Sequence, residues 1–209
     1  MEARVLNNCT KLLVVIIGII TGSTGFLHGL AEAMRGNKPT NGIMMADIGA
    51  ISLIPNYLLT GIAAMFFGVS MIVWSASSIH KKNGPVAFMV ISILLFLSGG
   101  GIMMVLPVII VWALAARLDK PLNWWRKILP ERSRKTLSGL WKLSFISCFF
   151  SLLTAILIWI FLTPPGPSYK SPVYVYTCWS FLLLAIVFLI MTIITGFARD
   201  IVVRDEVII

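Results

Sequence analysis

The sequence predicts an all-α integral membrane protein, because it is rich in apolar residues that fall into long runs. Hydrophobic residues make up 58% of the 209 positions and charged residues only 12%, and the mean hydropathy is +0.95. Turn-forming or basic segments separate the apolar runs. We expect a single transmembrane helical domain over residues 1–209, a bundle of about six membrane segments.

Small residues follow one face of the first two predicted spans, residues 11–33 and 56–79. In the first span, glycines recur every three or four positions, which places them on one side of a helix. Small residues let a second helix approach closely, and this drives helix association in lipid. The second span offers a matching face. The predicted helix-packing residues are Gly18, Gly22, Gly25, Gly29, Gly61, Ala64 and Gly68.

A polar stripe runs beside these glycines and ends in ionisable residues. His28 and Glu32 are four positions apart, and Glu32 and Arg35 are three apart, so both pairs can touch. Ionisable groups at membrane depth are costly and face the bundle interior or a watery cavity. A structural network at the helix end, ion or substrate handling, and catalysis are the alternatives. The candidate residues are Thr21, Thr24, His28, Glu32, Arg35, Asp47 and Asn56.

Two of these candidates lie beyond the first span. Asp47 belongs to residues 43–54, which are too few to span a bilayer and are predicted to be an interfacial or re-entrant segment. It can face the outer end of the stripe, or it can serve as a helix cap or surface charge. Asn56 begins the second span.

Residues 85–116 are predicted to double back rather than cross once. One straight helix of this length would measure about 48 Å, against a hydrocarbon core of about 30 Å. Gly99, Gly100 and Gly101 can turn the chain because they tolerate positive φ, and Pro107 suggests a kink in the second arm. The predicted arms are residues 85–98 and 102–116, and both a spanning and a re-entrant hairpin remain open.

Basic residues flank this hairpin on both sides, and this sets the predicted topology. Short cytoplasmic loops carry an excess of Lys and Arg, so we place residues 80–82, the basic loop of residues 117–140, and both termini in the cytoplasm. Residues 121–129 suit an amphipathic helix at anionic headgroups, although ordinary topology-setting charge is an equal alternative. The predicted headgroup residues are Lys120, Trp124, Trp125, Arg126 and Lys127.

The last two spans are predicted over residues 141–163 and 173–198. Hydroxyl side chains on one face of the first of them indicate a hydrogen-bonded packing seam. Its members are Ser144, Ser147, Ser151 and Thr154. Together with the topology, these spans predict a multi-pass membrane protein.

The sequence contains no recognised set of catalytic, metal-binding or cofactor-binding residues. Its three cysteines form no CxxC pair, which favours small apolar fillers over a disulfide framework. A zinc site is disfavoured because the only other histidine, His80, is expected on the opposite face. The net charge of +9 reflects cytoplasmic loops, and no nucleic-acid recognition motif accompanies it. We therefore expect no cofactor, no metal and no nucleic acid.

One set of short motifs runs from the first span to the basic loop. The motifs are His28-Gly29, Glu32, Gly36-Asn37, Pro39, Gly42, Ile54-Pro55-Asn56, Thr60-Gly61, Gly99-Gly100-Gly101, Pro107 and Trp124-Trp125-Arg126. Together they resemble a group of small, uncharacterised prokaryotic polytopic membrane proteins over about the first two thirds of the chain. The resemblance implies the membrane class and draws attention to residues 28–61, but it implies no activity, cofactor or catalytic residue.

These observations favour a non-enzymatic structural, assembly or partner-binding membrane component. Its expected partners are lipids of the anionic inner leaflet and either a second copy of the chain or another membrane protein. The alternative is a small ion, proton or solute transporter or channel subunit that uses His28, Glu32 and Arg35. An intramembrane enzyme is the second alternative, and it lacks a recognisable nucleophile and base.

Overall fold

The computed structural model describes residues 8–40, 44–45, 50–101, 105–118, 120, 122–162 and 172–208. This part of the chain contains seven α-helices and two very short β-strands. The helices are α1 (Asn8–Ala33), α2 (Tyr57–Ser77), α3 (Gly84–Leu97), α4 (Val105–Ala115), α5 (Asn123–Ile128), α6 (Glu131–Leu162) and α7 (Pro172–Ile208), and the strands are β1 (Met44–Met45) and β2 (Ala50–Ile51).

Four of the described helices, α1, α2, α6 and α7, are long and apolar enough to cross a membrane. The fold therefore belongs to the helical membrane class that the composition predicts. Helix α3 has 14 residues and measures about 21 Å, and α4 has 11 residues and measures about 16 Å. Both are shorter than the hydrocarbon core of about 30 Å.

The chain breaks between α3 and α4 at the three glycines. Helix α3 ends at Leu97, and the N–H of Ser98 closes its last turn on the carbonyl of Leu94. Gly99 and Gly101 then adopt φ of +87° and +92°, a region that side chains disfavour. Helix α4 is described from Val105 and includes Pro107, and the kink expected at Pro107 stays a prediction.

The segment between α1 and α2 pairs by its backbone. Strands β1 and β2 are antiparallel, with Met45 opposite Ala50. Just after β2, the N–H of Leu53 donates to the carbonyl of Leu97 at 3.0 Å, and the N–H of Gly99 donates to the carbonyl of Ile51 at 2.9 Å. This segment therefore occupies main-chain groups that the end of α3 leaves without helical partners.

Helices α6 and α7 both extend beyond their predicted spans. Residues 131–140, which the sequence predicts as part of a loop, form the first turns of α6. Glu131 favours this start because its negative charge lies at the helix N-terminus, and it pairs with Lys135 at 2.9 Å. The predicted tail after residue 198 continues α7 to Ile208, and Asp205 there pairs with Arg126 and Arg134.

The described chain divides into two compact units. One consists of Met1–Thr10 and Pro121–Ile209, and its principal packing is between α6 and α7. The other is Lys11–Lys120, in which α3 contacts both α2 and α4. The first described turn of α1 belongs to the first unit and the rest of α1 to the second.

Candidate functional site

Helices α1 and α2 approach each other at their glycines. A β-carbon on Gly22 would lie 2.6 Å from the carbonyl oxygen of Gly68, and one on Gly68 would lie 2.7 Å from the carbonyl oxygen of Gly22. A β-carbon on Gly29 would lie 2.7 Å from the carbonyl oxygen of Gly61. Because no side chain fits at these positions, the two backbones are in contact along this face, which we call the glycine seam.

The remaining predicted packing residues of this unit lie around the same seam. A β-carbon on Gly18 would lie within 2.8 Å of the Ser75 β-carbon, and one on Gly25 would lie 2.8 Å from the Leu95 side chain. Ala64 is fully buried. The stripe on α1 therefore contacts α3 as well as α2.

The residues of the polar stripe have different surroundings. The Thr21 hydroxyl is buried and has no hydrogen-bond partner among the described residues. Thr24 donates to the carbonyl of Ile20 in its own helix at 2.9 Å, which satisfies its hydroxyl locally. His28 is half-buried. The stripe is therefore not one continuous hydrogen-bonded network over these residues.

At its outer end, the stripe separates into a buried acid and an exposed base. Glu32 is 0% exposed, whereas Arg35 is exposed and its guanidinium lies 5.0 Å from the centre of the Tyr57 ring. Asn56 caps α2 by accepting from the N–H of Leu59 at 3.1 Å and donates to Asn37 at 2.6 Å. Asp47 lies outside the described residues.

Glu32 contacts the glycine break. A β-carbon on Gly99 would lie 2.6 Å from each carboxylate oxygen of Glu32, so only glycine leaves room for this carboxyl group. Neither oxygen has a hydrogen-bond partner in the described part of the chain. A buried polar group without a partner normally costs several kcal/mol. Glu32 is thus a buried carboxyl group whose loss of hydration no described hydrogen bond offsets.

Buried hydroxyl groups also lie at this break. Thr60 is 0% exposed and Ser52 is 2% exposed. The Thr60 hydroxyl donates to the carbonyl of Ser98 at 3.0 Å and contacts the hydroxyl of Ser52. We refer to Glu32, Ser52, Thr60, Ser98 and Gly99 as the Glu32 site. The sequence drew attention to Thr60 through the Thr60-Gly61 motif but not to Ser52 or Ser98, because hydroxyl residues in apolar segments carry no signal of which turn they will meet.

A cavity of about 160 Å³ lies beside this break, among α1, α3 and α4. Thr21, Ser92, Gly100 and Gly101 line it together with apolar side chains, among them Val108. The described lining does not include Glu32. Its largely apolar walls suit a methyl group or an acyl-chain segment better than a hydrated solute.

The hydroxyl seam of α6 faces α7. The hydroxyl of Ser144 lies 2.9 Å from that of Thr195, and both residues are buried. Ser151 is also buried, whereas Ser147 and Thr154 are half-buried. Two cysteines lie in the same interface: the thiol of Cys148 lies 3.6 Å from the carbonyl oxygen of Ala185, and the thiol of Cys178 lies 3.6 Å from that of Ala155.

The predicted headgroup residues are distributed around α5. Trp124 and Lys127 are exposed, whereas the ring of Trp125 lies 5.1 Å from that of Phe197 on α7. Arg126 forms an ion pair with Asp205. Lys120 lies before α5 and is exposed. The helix is thus attached to α7 by one aromatic and one ionic contact and leaves Trp124 and Lys127 outward.

Asp200 is a structural residue that the sequence reading passed over. It is 6% exposed and accepts hydrogen bonds from the N–H groups of Cys9 at 2.8 Å and Thr10 at 3.0 Å. It also accepts from the Thr10 hydroxyl at 2.7 Å. A carboxylate at this position accepts hydrogen bonds from N–H groups that have no partner within the helix, and its negative charge is stabilised by the positive end of the helix. Nothing local in the sequence links residues so far apart.

Within the described ranges, no group of three or more His, Cys, Asp or Glu residues is placed to hold a metal ion. The class that fold and site define is a helical protein with four helices able to cross a membrane. No protein-family model, curated protein or solved structure matches the chain. Its function is therefore argued from its own residues.

Proposed function

We propose that the chain is a multi-pass protein of a prokaryotic cell membrane, with both termini and its basic segments in the cytoplasm. Lys81 and Lys82 precede α3, and Arg117 follows α4. If the two helices form a hairpin, these basic residues lie together at its open end, as the positive-inside rule favours for a cytoplasmic face. With α3 and α4 counted, the membrane segments number about six.

The lengths of α3 and α4 favour a re-entrant hairpin over two full crossings. A re-entrant turn is tolerated only where protein satisfies its backbone. The hydrogen bonds from Leu53 to Leu97 and from Gly99 to Ile51 supply such partners at the turn.

We further propose that the α5 surface rests on the anionic inner leaflet. Trp124 is 64% exposed next to the exposed Lys127, and indole rings and basic groups both prefer the headgroup region. Each basic residue near an anionic surface contributes about 1 kcal/mol. Replacing Trp124 and Lys127 together should weaken binding of the detergent-solubilised protein to vesicles that contain anionic lipid, and leave binding to neutral vesicles unchanged.

Within that membrane, the function the geometry supports best is a non-enzymatic structural, assembly or partner-binding component. The observation that carries this proposal is the glycine seam, at which α1 and α2 meet backbone to backbone at Gly22, Gly29, Gly61 and Gly68. A seam without room for side chains suits a rigid framework. The neighbouring cavity is apolar and its described lining does not include Glu32, which does not suit a solute pathway.

The test is reconstitution of the full chain. In lipid nanodiscs, native mass spectrometry should give a complex heavier than one 23.1 kDa chain, either with itself or with another membrane protein. In sealed proteoliposomes, proton and sodium fluxes should equal those of protein-free vesicles. A monomer that conducts either ion would contradict this function.

The alternative of a small ion or proton transporter is favoured by one specific observation, the buried and unpartnered carboxyl group of Glu32 beside a broken helix. Transporters bind ions where helices are interrupted. Flux that exceeds the protein-free background and disappears in Glu32→Gln would support this alternative.

A further inference from the structure

We propose that the Glu32 site binds a small monovalent cation, either a proton or a metal ion of the size of sodium, that neutralises the buried carboxylate. This inference concerns binding alone and stands whether the protein is a scaffold or a transporter. It rests on the placement of Glu32, on the helix ends around it and on the oxygen atoms nearby.

The carboxyl group of Glu32 is buried without a hydrogen-bond partner among the described residues. The residue has no exposed surface, and neither carboxyl oxygen takes part in a hydrogen bond within that part of the chain. A buried carboxylate is tolerated when it is paired with positive charge or gains a proton. The space for both oxygens is created by the missing side chain of Gly99, so the fold accommodates this acid rather than excluding it.

Glu32 lies near the carboxyl ends of two helices. Glu32 is the penultimate residue of α1, and it contacts Gly99, which follows the end of α3. The carboxyl end of a helix carries partial negative charge and favours cations. Two such ends lie at the carboxylate, so neither α1 nor α3 supplies positive charge to Glu32 there.

Arg35 and His28 form no hydrogen bond with the Glu32 carboxylate in the described part of the chain. The Arg35 guanidinium attracts Glu32 electrostatically, but it is exposed and lies over the Tyr57 ring. His28 lies one turn before Glu32 on the same helix. The amino end of α2 is positive, but the N–H groups of Tyr57 and Leu59 donate to Lys38 and Asn56. The glycine break and the 51–53 segment bring no ionisable side chain.

Hydroxyl and carbonyl oxygens at the glycine break are potential ligands for a cation. Thr60 and Ser52 bring buried hydroxyl oxygens, and Ser98 brings a carbonyl that accepts from Thr60 at 3.0 Å. Hydroxyl, carbonyl and carboxylate oxygens are the ligands that hard cations prefer, and carbonyls at unwound helix segments coordinate sodium in membrane proteins. A proton needs only Glu32, so the two cations make different demands on Thr60.

The experiment measures thermal unfolding of the full chain in lipid nanodiscs. One arm titrates sodium against choline at constant ionic strength and about pH 8, and the other lowers the pH from about 8 to about 5 without sodium. At a cation concentration 100 times the dissociation constant, the melting temperature should rise by about 5–10 °C. Choline serves as the control cation because its quaternary ammonium group is much larger than a sodium ion and cannot be ligated by oxygen atoms at short distance.

Two variants and one spectroscopic signature make the result decisive. Glu32→Gln should lose the response to both cations, whereas Glu131→Gln, which alters an exposed acid on α6, should keep it. Thr60→Val should lose the response to sodium and keep the response to acid. If Glu32→Gln does not fold, infrared spectra of the wild type decide, because a buried protonated carboxyl shows a slowly exchanging carbonyl band that sodium removes.

The outcomes separate the two cations. A rise with sodium alone identifies a metal ion, a rise with acid alone identifies the proton, and mutual competition identifies one site for both. The proposal would be overturned if the melting temperature of the wild type changed in the same way as that of Glu32→Gln in both titrations. It would also be overturned if the wild type showed neither a rise in melting temperature nor the infrared band of a buried protonated carboxyl group.

Discussion

Replacing Gly68 by alanine should destabilise the protein, because the added methyl group has no space in the glycine seam. A β-carbon there would lie 2.7 Å from the carbonyl oxygen of Gly22 and 2.8 Å from the backbone nitrogen of Phe26. Ordinary contacts need about 3.5 Å, so α1 and α2 must separate by about 0.8 Å. Both obstructing atoms belong to backbone, which cannot rotate away.

The cost can be worked out from this separation. Overpacking typically costs about 1–3 kcal/mol, and a gap of this size forfeits about a quarter to a half of each contact along the seam. Alanine recovers about 1 kcal/mol through its higher helix propensity. We therefore expect the free energy of unfolding to fall by about 1–3 kcal/mol.

The matched control is Gly139→Ala in α6, where a β-carbon would meet nothing within 4 Å. Helix propensity alone acts there, so this variant should gain about 0.5–1 kcal/mol. Both are measured by reversible denaturant unfolding in mixed micelles, followed by circular dichroism. The seam argument would be refuted if Gly68→Ala were as stable as the wild type, or if it gained stability as Gly139→Ala does.

Two further substitutions test hydrogen bonds of the other unit. Asp200→Ala should cost about 2 kcal/mol by removing the acceptor for the first described turn of α1, and amide exchange at Thr10 should accelerate; an unchanged exchange rate would show that the cap contributes nothing. Ser144→Ala should cost only about 0.6 kcal/mol, because it removes one interhelical hydroxyl contact with Thr195. Ser180→Ala, in which the lost hydroxyl is exposed and bonds only to its own helix, should cost less, and an equal cost would contradict the interhelical assignment.

Helices α3 and α4 could be placed from the sequence because the glycine and proline residues that interrupt the helical pattern lie next to them. The arms around the glycine break were predicted as residues 85–98 and 102–116, and the structure has helices at Gly84–Leu97 and Val105–Ala115. Glycine and proline act within one or two residues, so their effect is readable without knowledge of the fold.

Helices α6 and α7 were predicted too short because their additional turns depend on contacts with residues distant in the sequence. Charged residues around 131–140 and after residue 198 suggested solvent-exposed loops. The helices continue because Glu131 pairs with Lys135 and because Asp200 and Asp205 have partners far away in the sequence, such as Thr10. Contacts over such separations leave no local pattern.

The candidate site was predictable only in part. Periodicity places Glu32 beside the glycines of α1, and the cost of an ionisable group at membrane depth is enough to expect that it faces the bundle interior or a watery cavity. It does not identify the element that covers the carboxyl group. That the cover is the glycine break, where Thr60 and Ser52 also lie, follows from the pairing of residues 51–53 with the end of α3, which periodicity does not encode.

The most direct test of the account is the sidedness of the chain on either side of the glycine break. In a variant without native cysteines, single cysteines replace Lys82 before α3 and Arg117 after α4, with Lys38→Cys as the control for the opposite face. A membrane-impermeant maleimide should label positions 82 and 117 only from the cytoplasmic side and position 38 only from the other side. Labelling of 82 and 117 from opposite sides would contradict the returning hairpin and the membrane position assigned to Glu32.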